Sequence, residues 1–290
     1  MTDNIYIDSL HSKMHKVFKE TIDFLENHNL RWYVSGGTAI GAVRHHDFIP
    51  WDDDIDIYMP RKDYNRLLSL KKEIKTSTNL ELLNIEDEGY TQWFAKFVDK
   101  NSTTMENLNI PCVYGVWVDI FPLDYSSNSE EVDNKNALIF KELFIKYQKT
   151  LFHVNYKAML VQLLHLNFKS VCNNALSVIP KRRDFLRKEF QKFESSVQNE
   201  DGTHYISYCE GGRHLECDWF KDSLMVPFAD YQVRVPIGYD SYLTSVFGDY
   251  MKLPPEKDRV THQMLYVNLK ARVSKKEIKE ALKKGENFFV

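Results

Sequence analysis

The segment Trp51-Asp-Asp-Asp-Ile-Asp-Ile-Tyr-Met59 alternates carboxylate and apolar side chains from Asp54 to Ile57. Successive side chains of a β-strand point to opposite faces of its sheet, so the alternation predicts a core strand from Asp53 to Met59. Three carboxylates would share one face and two isoleucines the other: Asp52, Asp54 and Asp56 against Ile55 and Ile57. Because like charges two residues apart repel each other, this strand predicts a cation beside it.

A divalent metal ion is the simplest cation for this position. Oxygen-only ligands suit Mg²⁺, with Mn²⁺ as the alternative, and Mg²⁺ commonly bridges protein carboxylates to substrate phosphates. We therefore interpret Asp54 and Asp56 as metal ligands, with a solvated acidic strand end as the alternative. A calcium loop is excluded, because Ile57 stands where that loop needs glycine and its last ligand position has no glutamate.

A Gly-Gly turn, Ser35-Gly-Gly-Thr38, precedes the acidic segment and lies between a predicted strand at 31–34 and a predicted helix at 39–44. Bare backbone at a helix N-terminus can approach a phosphate. The spacing is neither that of a P-loop nor that of a dinucleotide fingerprint. A strand, a Gly-Gly turn, a helix and a strand with paired aspartates are together the parts of a nucleotidyltransferase site.

The composition is that of a globular protein, with 290 residues of which 43% are apolar and 27% charged. Its 38 basic and 41 acidic residues give a net charge of −3, so no overall basic field favours a nucleic-acid partner. The N-terminus has no secretory pattern, and no apolar run reaches the ~20 residues of a membrane span. We expect a cytoplasmic protein.

The four cysteines also suit a reducing compartment. They form no C-x2-C pair, which argues against zinc-ribbon and thioredoxin-like sites, and a disulfide between the last two is the disfavoured alternative. They are Cys112, Cys172, Cys209 and Cys217.

Hydrophobic periodicity and turn residues predict the remaining elements. These are a helix over 8–29, strands over 80–85, 92–99, 112–121, 204–208 and 231–235, two to four helices between 130 and 197, and helices over 239–248 and 273–284. We expect an α/β (α+β) fold with a mixed-sheet core, flanking helices and a helical insert. Its parts would be a catalytic core (1–125), the insert (126–200) and a C-terminal part completing the core and donor site (201–290), with a single domain as the alternative.

Three segments carry a resemblance to a known family. Gly36-Gly-Thr-Ala-Ile-Gly-Ala-Val-Arg-His-His-Asp-Phe-Ile-Pro-Trp-Asp-Asp-Asp-Ile-Asp-Ile57 resembles the signature of the LicD family, whose eukaryotic relatives include fukutin and fukutin-related protein. Trp117-Val-Asp-Ile-Phe-Pro-Leu-Asp124 resembles the family's next strand, and Phe247-Gly-Asp-Tyr-Met-Lys-Leu-Pro-Pro255, followed by Arg259 and His262, resembles its C-terminal motif. The resemblance implies a nucleotidyltransferase-like core.

The resemblance also implies a reaction: metal-dependent transfer of a phosphate-linked group from a CDP- or CMP-activated donor to a sugar hydroxyl, with release of CMP. Bacterial members typically carry phosphocholine onto teichoic acid, lipopolysaccharide or capsule. Phosphoethanolamine, an aminoethylphosphonate and a polyol phosphate are alternatives, and the acceptor would be a cell-surface glycan or a lipid-linked oligosaccharide. Peripheral contact with the inner membrane face is left open.

Two rival functions remain at this point. The same residues could serve a nucleotidyltransferase that adds a nucleotide to an acceptor and releases pyrophosphate. A catalytically silent glycan-binding relative is the second, although the intact aspartates argue against it.

Carried over by position, Asp54 and Asp56 match the family's paired metal ligands. Asp119, between Val118 and Ile120 in the sequence, fits the third carboxylate, which would complete the metal shell or accept the acceptor's proton; a turn-capping aspartate is the alternative.

The Gly-Gly turn and the helix after it would meet the donor. Gly36, Gly37 and Thr38 would approach its phosphates. Arg44 would clamp a phosphate with its planar guanidinium, or serve only as a helix-end cation. His45 is a candidate acid/base group.

Three further residues are candidates for donor binding. Lys96, on a strand that is apolar in part, would contact a phosphate or form an ordinary salt bridge to an aspartate. Arg259 and His262 would fold back on the nucleotide, or only pack in their loop.

Three tryptophans flank the acidic segments, namely Trp51, Trp93 and Trp117. A quaternary ammonium binds over aromatic faces, so they could form a cage for choline. Ordinary core packing is the alternative for each.

Overall fold

The computed structural model describes residues 2–127, 129–151, 180–208, 212–259, 261 and 264–289. Its helices are α1 (Thr2–Asn27), α2 (Gly36–Arg44), α3 (Arg61–Ser69), α4 (Lys71–Ser77), α5 (Glu130–Lys149), α6 (Pro180–Ser196), α7 (Tyr239–Phe247) and α8 (Lys275–Lys283). Its strands are β1 (Tyr33–Val34), β2 (Asp56–Pro60), β3 (Leu80–Leu83), β4 (Ala95–Asp99), β5 (Thr103–Met105), β6 (Trp117–Tyr125), β7 (His204–Ser207), β8 (Arg213–Glu216), β9 (Ser223–Phe228), β10 (Tyr231–Pro236), β11 (Tyr266–Asn268) and β12 (Phe288–Phe289).

A seven-stranded mixed sheet has the order β1-β2-β6-β4-β3. In addition, β7 pairs with the C-terminal end of β6, and β8 pairs with β7. Within it β2 and β6 run parallel and the other pairings are antiparallel. Two smaller sheets, β9-β10 and β5-β11-β12, complete the described strands. The expected α+β class, with a mixed sheet and flanking helices, is confirmed.

Helix α1 covers one face of the sheet. Its buried positions Leu10, Met14, Phe18 and Leu25 recur at helical spacing, and the helix packs on β3, β4 and β6. Along the central strands, every second side chain points into this core, as Ile57 of β2 does. The opposite face of the central strands is therefore left for the polar site.

The acidic strand is shorter than predicted. It begins at Asp56, so Asp52 and Asp54 lie in the loop before it and do not share a strand face with Asp56. The reason lies in its neighbour: β1 is two residues long and ends at Val34, where the chain turns into α2. The residues before Asp56 therefore have no β1 residues with which to continue the antiparallel pairing.

The Gly-Gly segment is the first turn of α2 rather than a separate turn before it. Ser35 is the residue preceding the helix, and Gly36 has φ +53°, a conformation that glycine adopts without strain. This backbone lets the chain turn directly from β1 into the helix.

Most other predicted elements are confirmed within a few residues. The predicted strand at 112–121 begins later, at Trp117, and runs to Tyr125. Short strands at 103–105, 213–216, 266–268 and 288–289, and the Pro-containing β9, were missed because they carry too few residues, or too weak an alternation, to register as strands.

The predicted helical insert contains α5 and α6, which pack together. Residues 152–179, including Cys172, lie outside the described residues, as does Cys209. Cys112 and Cys217 are free thiols. In the described part of the chain, every helix is too short or too polar to cross a membrane.

Arg61, at the start of α3, ties the insert to the sheet. Its guanidinium bonds both oxygens of Asp124 at 2.6 and 2.7 Å and lies 3.0 Å from Glu194 of α6. Asp124 is 1% exposed, so this ion pair is buried and holds α3, β6 and α6 in one arrangement.

Candidate active site

Asp56 and Asp119 lie side by side on the parallel strands β2 and β6, as paired positions of the ladder. Burial raises the pKa of Asp56 well above its usual range, and the negative charges of Asp54, Asp119 and Asp52 raise it further. Burial likewise raises the pKa of Asp119, to about 6, although Lys96 opposes the rise. The site therefore concentrates negative charge where water solvates it poorly, which favours a bound cation.

Lys96 contacts Asp119 from the strand on its other side, β4. The Lys96 ammonium donates to Asp119 Oδ1, and Trp117 Nε1 donates to Asp119 Oδ2 at 3.2 Å. The sequence left open a phosphate contact or a salt bridge for Lys96. The structure shows the salt bridge, and a phosphate contact stays a prediction.

The loop before β2 carries the other carboxylates. Carboxylate oxygens of Asp52, Asp53 and Asp54 lie within 4.8 Å of one another. The backbone is held by the Asp52 N–H, which donates to the Ile49 carbonyl at 2.9 Å, and by His11 Nε2, which donates to the Asp52 carbonyl at 2.6 Å. Sequence reasoning missed His11, because nothing local links two positions 41 residues apart.

Both glycines of α2 give room to carboxylates. A Cβ on Gly36 would lie 3.1 Å from Asp56 Oδ2, and one on Gly37 would lie 2.5 Å from Asp52 Oδ2. The Gly36 N–H donates to the Tyr242 hydroxyl at 3.1 Å, a contact across 206 residues that the sequence did not reveal. The predicted approach of the glycines to phosphates is not tested by these contacts.

Thr38 holds the backbone of the acidic strand. Its hydroxyl accepts a hydrogen bond from the Asp56 N–H at 2.9 Å and its side chain is buried. Thr38 therefore positions Asp56, and its predicted contact with the donor's phosphates stays a prediction.

Gly37→Ala tests the requirement for space beside Asp52. Gly37 lies inside α2, where alanine is favoured over glycine by about 1 kcal/mol, so we expect the fold to persist. The new methyl would displace the Asp52 carboxylate, and we expect turnover to fall about 10²-fold, the scale of a misplaced catalytic group. Turnover and thermal unfolding would be measured together; unchanged turnover would show that Asp52 has no positional role.

A group of cationic and aromatic side chains lies next to the acidic loop. Arg44 Nη1 donates to the Tyr250 carbonyl at 2.6 Å, and Arg44 Nε donates to His45 Nδ1 at 3.3 Å. The Arg259 guanidinium lies 5.1 Å from the centre of the Trp51 ring. Burial and the nearby Arg259 lower the pKa of Arg44, and burial and Arg44 lower that of His45. Arg259 thus disfavours the charge of Arg44, and an anion bound between the two guanidinium groups would relieve this repulsion.

The three tryptophans contact different partners, and the choline cage stays a prediction. Among the described residues no ring contact joins the three tryptophans. Trp51 faces Arg259, Trp117 faces Lys96 at 4.5 Å, and Trp93 packs on the aromatic core, with Phe140 5.0 Å away. His262, the remaining predicted residue, lies outside the described residues.

The arrangement as a whole suits a phosphate substrate and a hard metal ion. The donors on β2 and its preceding loop are carboxylate oxygens, which Mg²⁺ and Mn²⁺ prefer. The two arginines lie beside them, with Trp51 next in sequence to Asp52. Acid–base, metal-assisted and phosphoryl-transfer chemistry can all use such a set, whereas a thiol nucleophile is not among these groups.

Comparison with known proteins finds a matching family model and several similar proteins. The family model described as LicD/FKTN/FKRP, nucleotidyltransferase domain, matches residues 29–175. The lipopolysaccharide cholinephosphotransferase LicD of Haemophilus influenzae is 28% identical over 253 residues, covering 82% of this chain and 89% of that protein. Uncharacterized proteins of Rickettsia prowazekii and Rickettsia typhi are each 38% identical over 50 residues, which are 17% of this chain and 19% and 16% of theirs.

Proposed function

The chain belongs to the LicD/FKTN/FKRP nucleotidyltransferase family and is a phosphotransferase-type enzyme, and from this premise we propose that it moves a phosphate-linked group from a CDP- or CMP-activated donor to a sugar hydroxyl, releasing CMP. Phosphocholine is the proposed group and a lipopolysaccharide-like glycan the proposed acceptor, because the relative in Haemophilus influenzae is named for both. The observation that carries the proposal is the pairing of Asp56 with Asp119 on adjacent parallel strands.

The proposed cofactor is Mg²⁺, with Mn²⁺ as the alternative. Asp54 and Asp56 would hold it, since both are carboxylates and the charge of Asp54 acts on the buried Asp56. When bound, such an ion offsets negative charge on the donor's phosphates and on the transition state.

The chain's own residues would then position the substrates. Arg44 and Arg259 would bind phosphate oxygens of the donor, because their planar guanidinium groups match phosphate geometry and the charge of Arg259 acts on Arg44. The acceptor hydroxyl would attack the phosphorus distal to cytidine. A new P–O bond to the sugar forms, and the P–O bond to CMP breaks.

Asp119 is the proposed acceptor of the hydroxyl proton. With a pKa of about 6, raised mainly by burial, it is a stronger base than an ordinary aspartate and is still ionised at neutral pH. Lys96 and the Trp117 N–H would fix the orientation of its carboxylate.

The deciding experiment measures CMP release from CDP-choline, CDP-ethanolamine, CMP-aminoethylphosphonate and CDP-ribitol, with Mg²⁺ and with EDTA. We expect metal-dependent CMP from CDP-choline. Metal-dependent CMP from another donor would keep the reaction and change the transferred group. If none is cleaved and none binds in calorimetry, the donor class is wrong, and pyrophosphate release from CTP would indicate nucleotidyl transfer.

Arg259→Ala tests donor binding by the arginine pair. A hydrogen bond to a charged group contributes about 1.5–3 kcal/mol, so we expect the KM for the donor to rise about tenfold or more. Arg66→Ala, which removes an exposed arginine of α3, is the matched control. Equal KM values for the two variants would contradict the role of Arg259.

A further inference from the structure

The ammonium of Lys96 is enclosed beside the carboxylates of the site. Lys96 is 5% exposed, its Nζ bonds Asp119, and it lies 4.5 Å from the centre of the Trp117 ring and 5.3 Å from that of Phe94. A carboxylate and two ring faces are the groups that stabilise a cation away from water. The surroundings therefore favour a positive charge at this position, and the side chain of Lys96 provides it.

The register of the sheet places this charge among the candidate metal ligands. Asp119 is paired with Asp56 on one side and with Lys96 on the other. Its two carboxylate oxygens already accept hydrogen bonds from Lys96 and Trp117. The positive charge of Lys96 also opposes the rise in the pKa of Asp56, so it acts on both carboxylates.

The ammonium of Lys96 already offsets negative charge beside Asp119. A second divalent ion beside Asp119 would have to approach the ammonium of Lys96, and like charges a few ångströms apart repel strongly in a poorly hydrated site.

We propose that Lys96 occupies the place of a second metal ion, so that this enzyme takes a single divalent ion, at Asp54 and Asp56. The proposal rests on the proposed function, because it assumes the metal site described there. Lys96 is then a positioning residue that fixes Asp119 and keeps the ion away from it.

The experiment counts bound metal and needs no turnover. The metal-free full chain is titrated with Mn²⁺, and free Mn²⁺ is followed by electron paramagnetic resonance. We expect one ion per chain in the wild type, two in Lys96→Ala, which removes the charge and opens space, and one in Lys96→Arg, which keeps the charge. Circular dichroism checks that each variant is folded.

Asp119→Asn gives a second readout in case Lys96→Ala does not fold. If Lys96 and not the metal engages Asp119, this variant still binds one ion with little change in affinity. A loss of about tenfold or more, typical of disturbing a metal site, would overturn the proposal.

The outcomes separate this proposal from the proposed function. Two ions in the wild type, or one in folded Lys96→Ala, would refute the role of Lys96 and leave the metal-dependent reaction standing. A wild-type chain that binds no Mn²⁺ would refute both.

Discussion

Asp56→Asn is expected to abolish turnover while leaving the fold intact. The substitution keeps the shape of the side chain and removes one of the two carboxylates proposed to hold the metal ion. Metal ions contribute several kcal/mol of charge stabilisation in the transition state, and about 1.4 kcal/mol corresponds to a factor of ten. We therefore expect a loss of about 10³-fold or more in CMP release.

The measurement compares CMP release by the variant and the wild type at saturating Mg²⁺. Asp218→Asn is the matched control, because the side chain of Asp218 is 83% exposed and lies outside the site. The control should keep wild-type turnover. A variant at Asp56 that retained wild-type turnover would remove this carboxylate from the mechanism.

The same variant is expected to be more stable than the wild type when metal is absent. Asp56 lies among Asp52, Asp54 and Asp119, in surroundings that raise its pKa well above its usual range, so its ionised form is disfavoured in the folded protein. A buried polar group without full compensation costs about 1–3 kcal/mol, and more when it is charged. In EDTA at neutral pH, Asp56→Asn should therefore raise the free energy of unfolding by at least about 1 kcal/mol.

The sign of the pH dependence follows from the direction of the shift. The folded protein binds a proton at Asp56 more tightly than the unfolded chain does, whose aspartates have a pKa near 3.8. Protonation therefore stabilises the fold, and this contribution is lost as the pH rises through the folded-state pKa. Asp119 behaves in the same way between 3.8 and about 6. The advantage of Asp56→Asn should thus shrink as the pH falls.

Urea unfolding of both proteins at a series of pH values, with EDTA and with Mg²⁺, checks this expectation. Mg²⁺ should stabilise the wild type, by about 2.7 kcal/mol at a concentration 100 times its Kd, and should stabilise the variant far less. Subtracting the free energies of unfolding of the two proteins cancels the titration of groups distant from Asp56. If the stability advantage of Asp56→Asn over the wild type grew as the pH fell, the raised pKa of Asp56 would be contradicted.

The central strands were predictable because their signal is local. Alternation of carboxylates with Ile55 and Ile57 identified the acidic strand, and the same pattern around Asp119 identified its neighbour. That Asp56 and Asp119 are register partners is a property of the parallel pairing, which single-strand periodicity does not contain. The start of β2 was misjudged for a related reason, since it depends on the length of β1.

The contacts that support the site were not predictable, because they join distant parts of the chain. His11 reaches the Asp52 carbonyl from α1, and Tyr242 reaches the Gly36 N–H from α7. The rings of Trp51 and Trp117, which were candidates for a cage around a substrate cation, face Arg259 and Lys96 in the structure. The residue type indicated that these rings contact cations, and only the tertiary structure shows which cations they contact.

The bond from Arg44 to the Tyr250 carbonyl joins the acidic half of the site to a segment outside the matched residues 29–175. The carboxylates lie within that match, and Arg259 lies beyond it. Under the proposed roles, donor recognition thus draws on two stretches of the gene, the matched one through Arg44 and a later one through Arg259. Under these roles, a change near residues 250–259 would alter donor binding and leave the carboxylates of the site in place.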